Sequence, residues 1–73
     1  MKRDIHIVPR DGNWAVVREG AARDSSHHQT QAEAVEAGRR TAERERTELL
    51  IHGRDGKIRE RNSYGSDPFP PKG

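Results

Sequence analysis

Between Ile5 and Ile58 the chain offers only eleven large apolar side chains: Ile5, Ile7, Val8, Trp14, Val16, Val17, Val35, Leu49, Leu50, Ile51 and Ile58. Burying one of them fully contributes roughly 1.5–3 kcal/mol, so the set barely exceeds the ordering entropy of a small domain. There is material for one compact core and no second. The 73 residues contain no cysteine, so neither a disulfide framework nor a thiolate metal site can supplement that core. Extra stability has to come from regular packing or from a partner. No apolar run approaches the roughly 18 residues of a membrane span, and the N-terminus lacks the apolar stretch of a signal peptide. The expectation is a cytoplasmic protein with no membrane partner. Residues 1–4 read as an N-terminal extension, 5–65 as a single domain, and 66–73, rich in Pro and Gly, as a disordered tail.

Two β-rich stretches between Ile5 and Arg18 flank Arg10-Asp11-Gly12-Asn13, whose Asp, Gly and Asn tolerate the positive φ angles of a hairpin turn. Glu19 to His28 has no apolar period and reads as a loop. Thr30 followed three residues later by Glu33 is a capping box, which starts a helix. On that helix Ala34, Val35, Gly38, Thr41 and Ala42 share one face. The face is narrow and its side chains small. Gly38 costs about 1 kcal/mol relative to Ala in a helix interior, which close approach to a sheet would justify. Glu48 to His52 and Lys57 to Asn62 then form a second strand pair around Gly53-Arg54-Asp55-Gly56. The predicted fold class is α+β: a four-stranded antiparallel sheet in the order ββαββ, with one helix packed on one face.

Side chains alternate across a strand, so the parity of each hairpin assigns residues to faces. Ile5, Ile7, Trp14 and Val16 fall together, and Leu49, Ile51 and Ile58 form the matching group in the second hairpin. These are the expected core beneath the helix. The opposite, open face receives Val8, Val17 and Leu50 with His6 and His52 beside them, and a basic row of Lys57, Arg59 and Arg61 along the last strand. Two active readings of that face compete with a merely solvated surface. One is a homodimer interface built on Val8, Val17, Leu50, His6 and His52. The other is a DNA or RNA contact in which Arg54, Lys57, Arg59 and Arg61 meet phosphates. The second lacks the aromatic side chains that single-strand platforms interleave with their cations. Net charge is only +2, from 14 basic and 12 acidic residues, too small for a strong whole-molecule field.

Chemical motifs are sparse. Adjacent His27 and His28 have only Asp24 as a nearby third ligand, which is poor metal spacing. Gly53 to Lys57 superficially suggests a phosphate loop but leads into a strand, so its amides would not align on an anion. Ser25, Ser26, Ser63 and Ser66 lie in loops or tail with no nucleophile elbow. No enzyme, metal, cofactor or small-molecule substrate is expected. On the helix, Glu36 precedes Arg40 by four residues and Glu43 precedes Arg46 by three, spacings that suit ion pairs on a solvated face.

Several short motifs occur in a recognisable order: His6-Ile7-Val8-Pro9, Gly12-Asn13-Trp14-Ala15-Val16, Thr30 with Glu33-Ala34, His52 to Ile58, and Asn62-Ser63-Tyr64-Gly65. Together, over about residues 5 to 65, they resemble a bacterial domain-of-unknown-function family, number 2188. The resemblance implies a small ββαββ-type domain without an established activity. Gly38 stands where that pattern carries alanine. The expected function is a non-catalytic binding or assembly module, homodimerising through the open sheet face.

Overall fold

The computed structural model describes residues 3–65. Its elements are β1 (Ile5–Arg10), β2 (Asn13–Arg18), β3 (Ser26–His28), α1 (Gln31–Glu45), β4 (Glu48–His52) and β5 (Ile58–Ser63). The fold is α+β with one helix, as its sequence pattern predicts. The sheet has five strands rather than four, in the order β3-β2-β1-β4-β5, and it is mixed rather than antiparallel because β1 and β4 run parallel. The expected disordered tail over 66–73 lies outside the described residues. No helix among the described residues is long and apolar enough to cross a membrane.

The strand absent from the sequence reading explains the parallel pair. β3 is only three residues long and polar, so it carries no apolar alternation, yet Trp14 pairs with His28, Ala15 with His27 and Val16 with Ser26. This short polar strand suits a sheet edge, where a long apolar one would invite aggregation. β1, β2 and β3 alternate in direction. Helix α1, about 22 Å long at 1.5 Å per residue, carries the chain back along the sheet. β4 therefore starts at the end where β1 starts and runs alongside it.

The local signals act as expected at the turns and the helix start. Asp11 (φ 52°) and Gly12 (φ 81°) both adopt positive φ in the two-residue turn between β1 and β2. Thr30 Oγ1 accepts the Glu33 amide at 3.1 Å, the threonine half of the capping box. The helix ends on Arg46 in the left-handed region (φ 57°).

Ala34, Gly38 and Ala42 form the buried stripe of α1. They lie on Ile5, Ile7, Trp14, Val16, Leu49 and Ile51, the core assigned from parity, with Val35, Ala37 and Tyr64 packed at its margin. Gly38 allows the close approach expected of it. A Cβ there would sit 2.6 Å from Ile7 Cδ1 and 3.0 Å from Leu49 Cδ1. Asp4, assigned by sequence to an extension, belongs to the folded unit: its carboxylate accepts the Thr47 hydroxyl at 2.8 Å, and Thr47 is buried.

Ile58 is the one core assignment the structure reverses. It is 51% exposed. Ile51 pairs with Glu60 but His52 pairs with Ile58, so the β4–β5 ladder slips by one residue. The extra residue, Arg59, makes a bulge, and a single inserted residue moves everything beyond it to the opposite face.

Candidate functional site: the uncovered face of the sheet

The register places β-strand neighbours on the face opposite α1 side by side. Ala15 lies beside Val8, Val17 beside His6, His6 beside Leu50, Leu50 beside Arg61, and His52 beside Ile58. The five residues assigned to this face by parity are therefore brought together. Their exposure differs. Leu50, flanked by His6 and Arg61, is buried at 4% even without a helix above it, whereas Val8 and Val17 are half-buried. The bulge adds Ile58, an apolar contact that strand parity alone assigns to the core.

His6 and His52 do more than share the face. His6 Nδ1 lies 2.9 Å from His52 Nε2. The outer nitrogen of His6, Nε2, is 3.2 Å from a Glu19 carboxylate oxygen, and that of His52, Nδ1, is 2.9 Å from the Gly56 carbonyl oxygen. A continuous chain of polar contacts thus links the end of β2, β1, β4 and the β4–β5 turn. Glu19 lies in a stretch with no apolar period, so the sequence pattern alone reads it as loop. Its separation of two from Val17, which puts it on the same face, was the available signal.

Toward the β3 edge, Arg10 makes a two-pronged contact with Asp24 at 2.9 and 2.8 Å, and His27 Nε2 reaches the same carboxylate at 2.8 Å. This clamps the β2–β3 loop. The Arg10 guanidinium holds the Asp24 carboxyl below its usual value, with a smaller contribution from His27 working against partial desolvation. A depressed carboxyl pKa contributes stability that is present above the unfolded-state value and lost as pH falls through the folded one. Arg10→Leu is accordingly expected to make stability less dependent on pH below about 4, as read from the urea midpoint at successive pH values. An unchanged acid slope would show that the clamp contributes nothing. Among the described residues no group of three or more His, Cys, Asp or Glu is placed to hold a metal ion.

A family model described as an uncharacterized protein conserved in bacteria, DUF2188, matches residues 5–64. The chain belongs to this family. It is also 33% identical over 66 residues to the uncharacterized protein YdaT of Bacillus subtilis (strain 168), covering 90% of its own length and 44% of that relative's. The DUF2188 chain thus spans less than half the length of the curated relative it matches. No solved structure matches it.

In this DUF2188 domain the four cations named for a nucleic acid do not line one surface. Arg54 stacks over the Trp14 ring at 5.7 Å, on the helix side of the sheet. Arg59, displaced by the bulge, lies against Gly53. Lys57 precedes β5 in the turn, and Arg61 stays on the open face with its Nε 3.6 Å from Glu48. One inserted residue has dissolved the basic row. The helix cations are matched as well. Arg39 contacts Glu36 and Glu43 at 2.6 and 2.8 Å, and Arg40 contacts Glu36 at 3.2 Å. Glu43 thus pairs back to Arg39 rather than forward to Arg46. At the other end of the helix Arg18 of β2 pairs with Glu45, whose carboxyl is lowered chiefly by that hydrogen bond.

Proposed function

We propose that this bacterial domain is a non-catalytic, cytoplasmic assembly module, and that two copies meet through their uncovered sheet faces. The observation that carries the reading is Ile58. The bulge leaves this residue 51% exposed beside His52, on the face that already presents Val8 and Val17. Water contact of a large aliphatic side chain is relieved when a matching surface covers it.

A second copy suits the patch because the charges around it are already paired, Arg10 with Asp24 and Arg61 with Glu48. Little unbalanced field remains to select a strongly charged partner. A two-fold pairing also presents the same aliphatic groups from both sides. Within a longer relative, such a module would join two chains.

The test is the mass in solution by light scattering of the wild type, Ile58→Asp and Val17→Asp. The wild type is expected at twice 8.3 kDa and both variants at the monomer mass, with dissociation constants raised at least about tenfold, or 1.4 kcal/mol. An apolar interface should also resist added salt, whereas a nucleic-acid complex weakens steeply with it. A wild type that stays monomeric at millimolar concentration overturns the proposal.

A further inference from the structure

The contacts of His6 and His52 define how many protons the two rings hold. The Gly56 carbonyl oxygen can only accept, so His52 Nδ1 must carry a proton to bond it at 2.9 Å. The Glu19 carboxylate likewise only accepts, so His6 Nε2 must carry one to bond it at 3.2 Å. With both outer nitrogens protonated, the two inner nitrogens of neutral rings would face each other as bare lone pairs at 2.9 Å. That arrangement is repulsive unless a cation lies between them.

The geometry selects a proton. The ring centroids are 5.2 Å apart while the nitrogens are 2.9 Å apart. Two five-membered rings reach that centroid separation only when the N···N vector runs along both lone-pair axes. Collinear lone pairs suit a linear N–H···N bond. A metal ion bound to both rings would require the axes to meet at an angle.

We infer that His6 and His52 act as one proton-binding unit, holding a single shared proton between their rings and compensated by Glu19. Two outer protons and one inner proton make three on two imidazoles, one more than the neutral pair carries. The shared proton latches β1 to β4 and ties both to the end of β2 and the β4–β5 turn. Loss of it removes one of the three bonds. Addition of a fourth sets N–H against N–H and drives the rings apart. The latch is therefore closed only within an intermediate pH range.

Other charged groups face the same side of the sheet. Asp4 precedes β1, Glu48 comes from β4 and Arg61 from β5, while Arg10 with Asp24 and His27 lies toward β3. Helix α1 packs on the other face. The inference goes beyond the self-association reading and does not rest on it.

Long-range ¹H–¹⁵N correlation of the histidine ring nitrogens of the full chain, followed over pH, tests it. In the intermediate range His52 Nδ1 and His6 Nε2 should appear protonated and the inner nitrogens should share one proton. Proton uptake by the pair should come in two separated steps rather than one. Glu19→Gln should weaken binding of the shared proton about two- to fivefold, the effect of losing an exposed opposite charge. His6→Asn should leave His52 with a single step, and His52→Asn serves in the same way if the first variant fails to fold. Independent single-step titration of His6 and His52 in the wild type overturns the inference. So does one equivalent of Zn²⁺ bound by both rings.

Discussion

Leu49→Ala is expected to remove about 3 kcal/mol of stability, within the range of roughly 2–5 for emptying a buried leucine site. Leu49 is fully buried, pairs with Ile5 across the parallel β1–β4 contact, and points its Cδ1 at the backbone of α1 near Gly38. Its loss leaves a cavity where sheet and helix are closest. The helix can settle little further there, since its stripe of Ala34, Gly38 and Ala42 has almost no side chain left to adjust. A domain of about 60 residues at roughly 0.05–0.15 kcal/mol per residue has only about 3–9 kcal/mol in total. The variant should be largely unfolded at 37 °C, or show a lower urea midpoint with an unchanged slope. A change below about 1 kcal/mol would mean that α1 is not held by this contact.

The opposite error at the same place should be comparably costly. Gly38→Leu inserts a whole side chain where even a Cβ would lie 2.6 Å from Ile7 Cδ1. Forcing atoms into a packed core costs typically 1–3 kcal/mol and sometimes more, and α1 has to lift to admit them. Gly38→Ala is the informative control. Its gain of about 1 kcal/mol in helix propensity opposes a contact with the ends of two aliphatic side chains, so the net change should stay within about 1.5 kcal/mol. Because Leu49 and Gly38 share one space, Leu49→Ala with Gly38→Ala should cost about 1 kcal/mol less than the sum of the two. Chemical denaturation of the four proteins measures this. Strict additivity would show that the two positions do not touch.

The uncovered face ties these stability terms to the proposed role. α1 occupies one side of the sheet only, so the small core is built entirely between that helix and six strand residues. On the uncovered face Leu50 is buried, but Val8, Val17 and Ile58 stay at least partly in contact with water. Covering them with a second copy would add apolar burial that the monomer lacks, the extra support expected of a chain with so few large apolar residues.

What the residues determined alone was local or periodic. Asp11-Gly12 makes its turn because those residues tolerate positive φ, and Thr30 starts the helix because its hydroxyl accepts an orphan amide. Alternation sorted Ile5, Ile7, Trp14, Val16, Leu49 and Ile51 onto one face and His6, Val8, Val17, Leu50 and His52 onto the other, since neighbouring side chains in a strand must point oppositely. The assembled sheet decided the rest. β3 exists because β2 offers it hydrogen-bond partners, and nothing in Ser26-His27-His28 marks a strand in isolation. The bulge at Arg59 arises in the pairing of β4 with β5, and it alone sends Ile58 outward and breaks the line of Lys57, Arg59 and Arg61. The contact between His6 and His52 depends on β1 lying next to β4, 46 positions apart in the chain. Pairing between distant strands is settled by the packing of the whole sheet, because a backbone edge accepts many partners and only burial chooses among them.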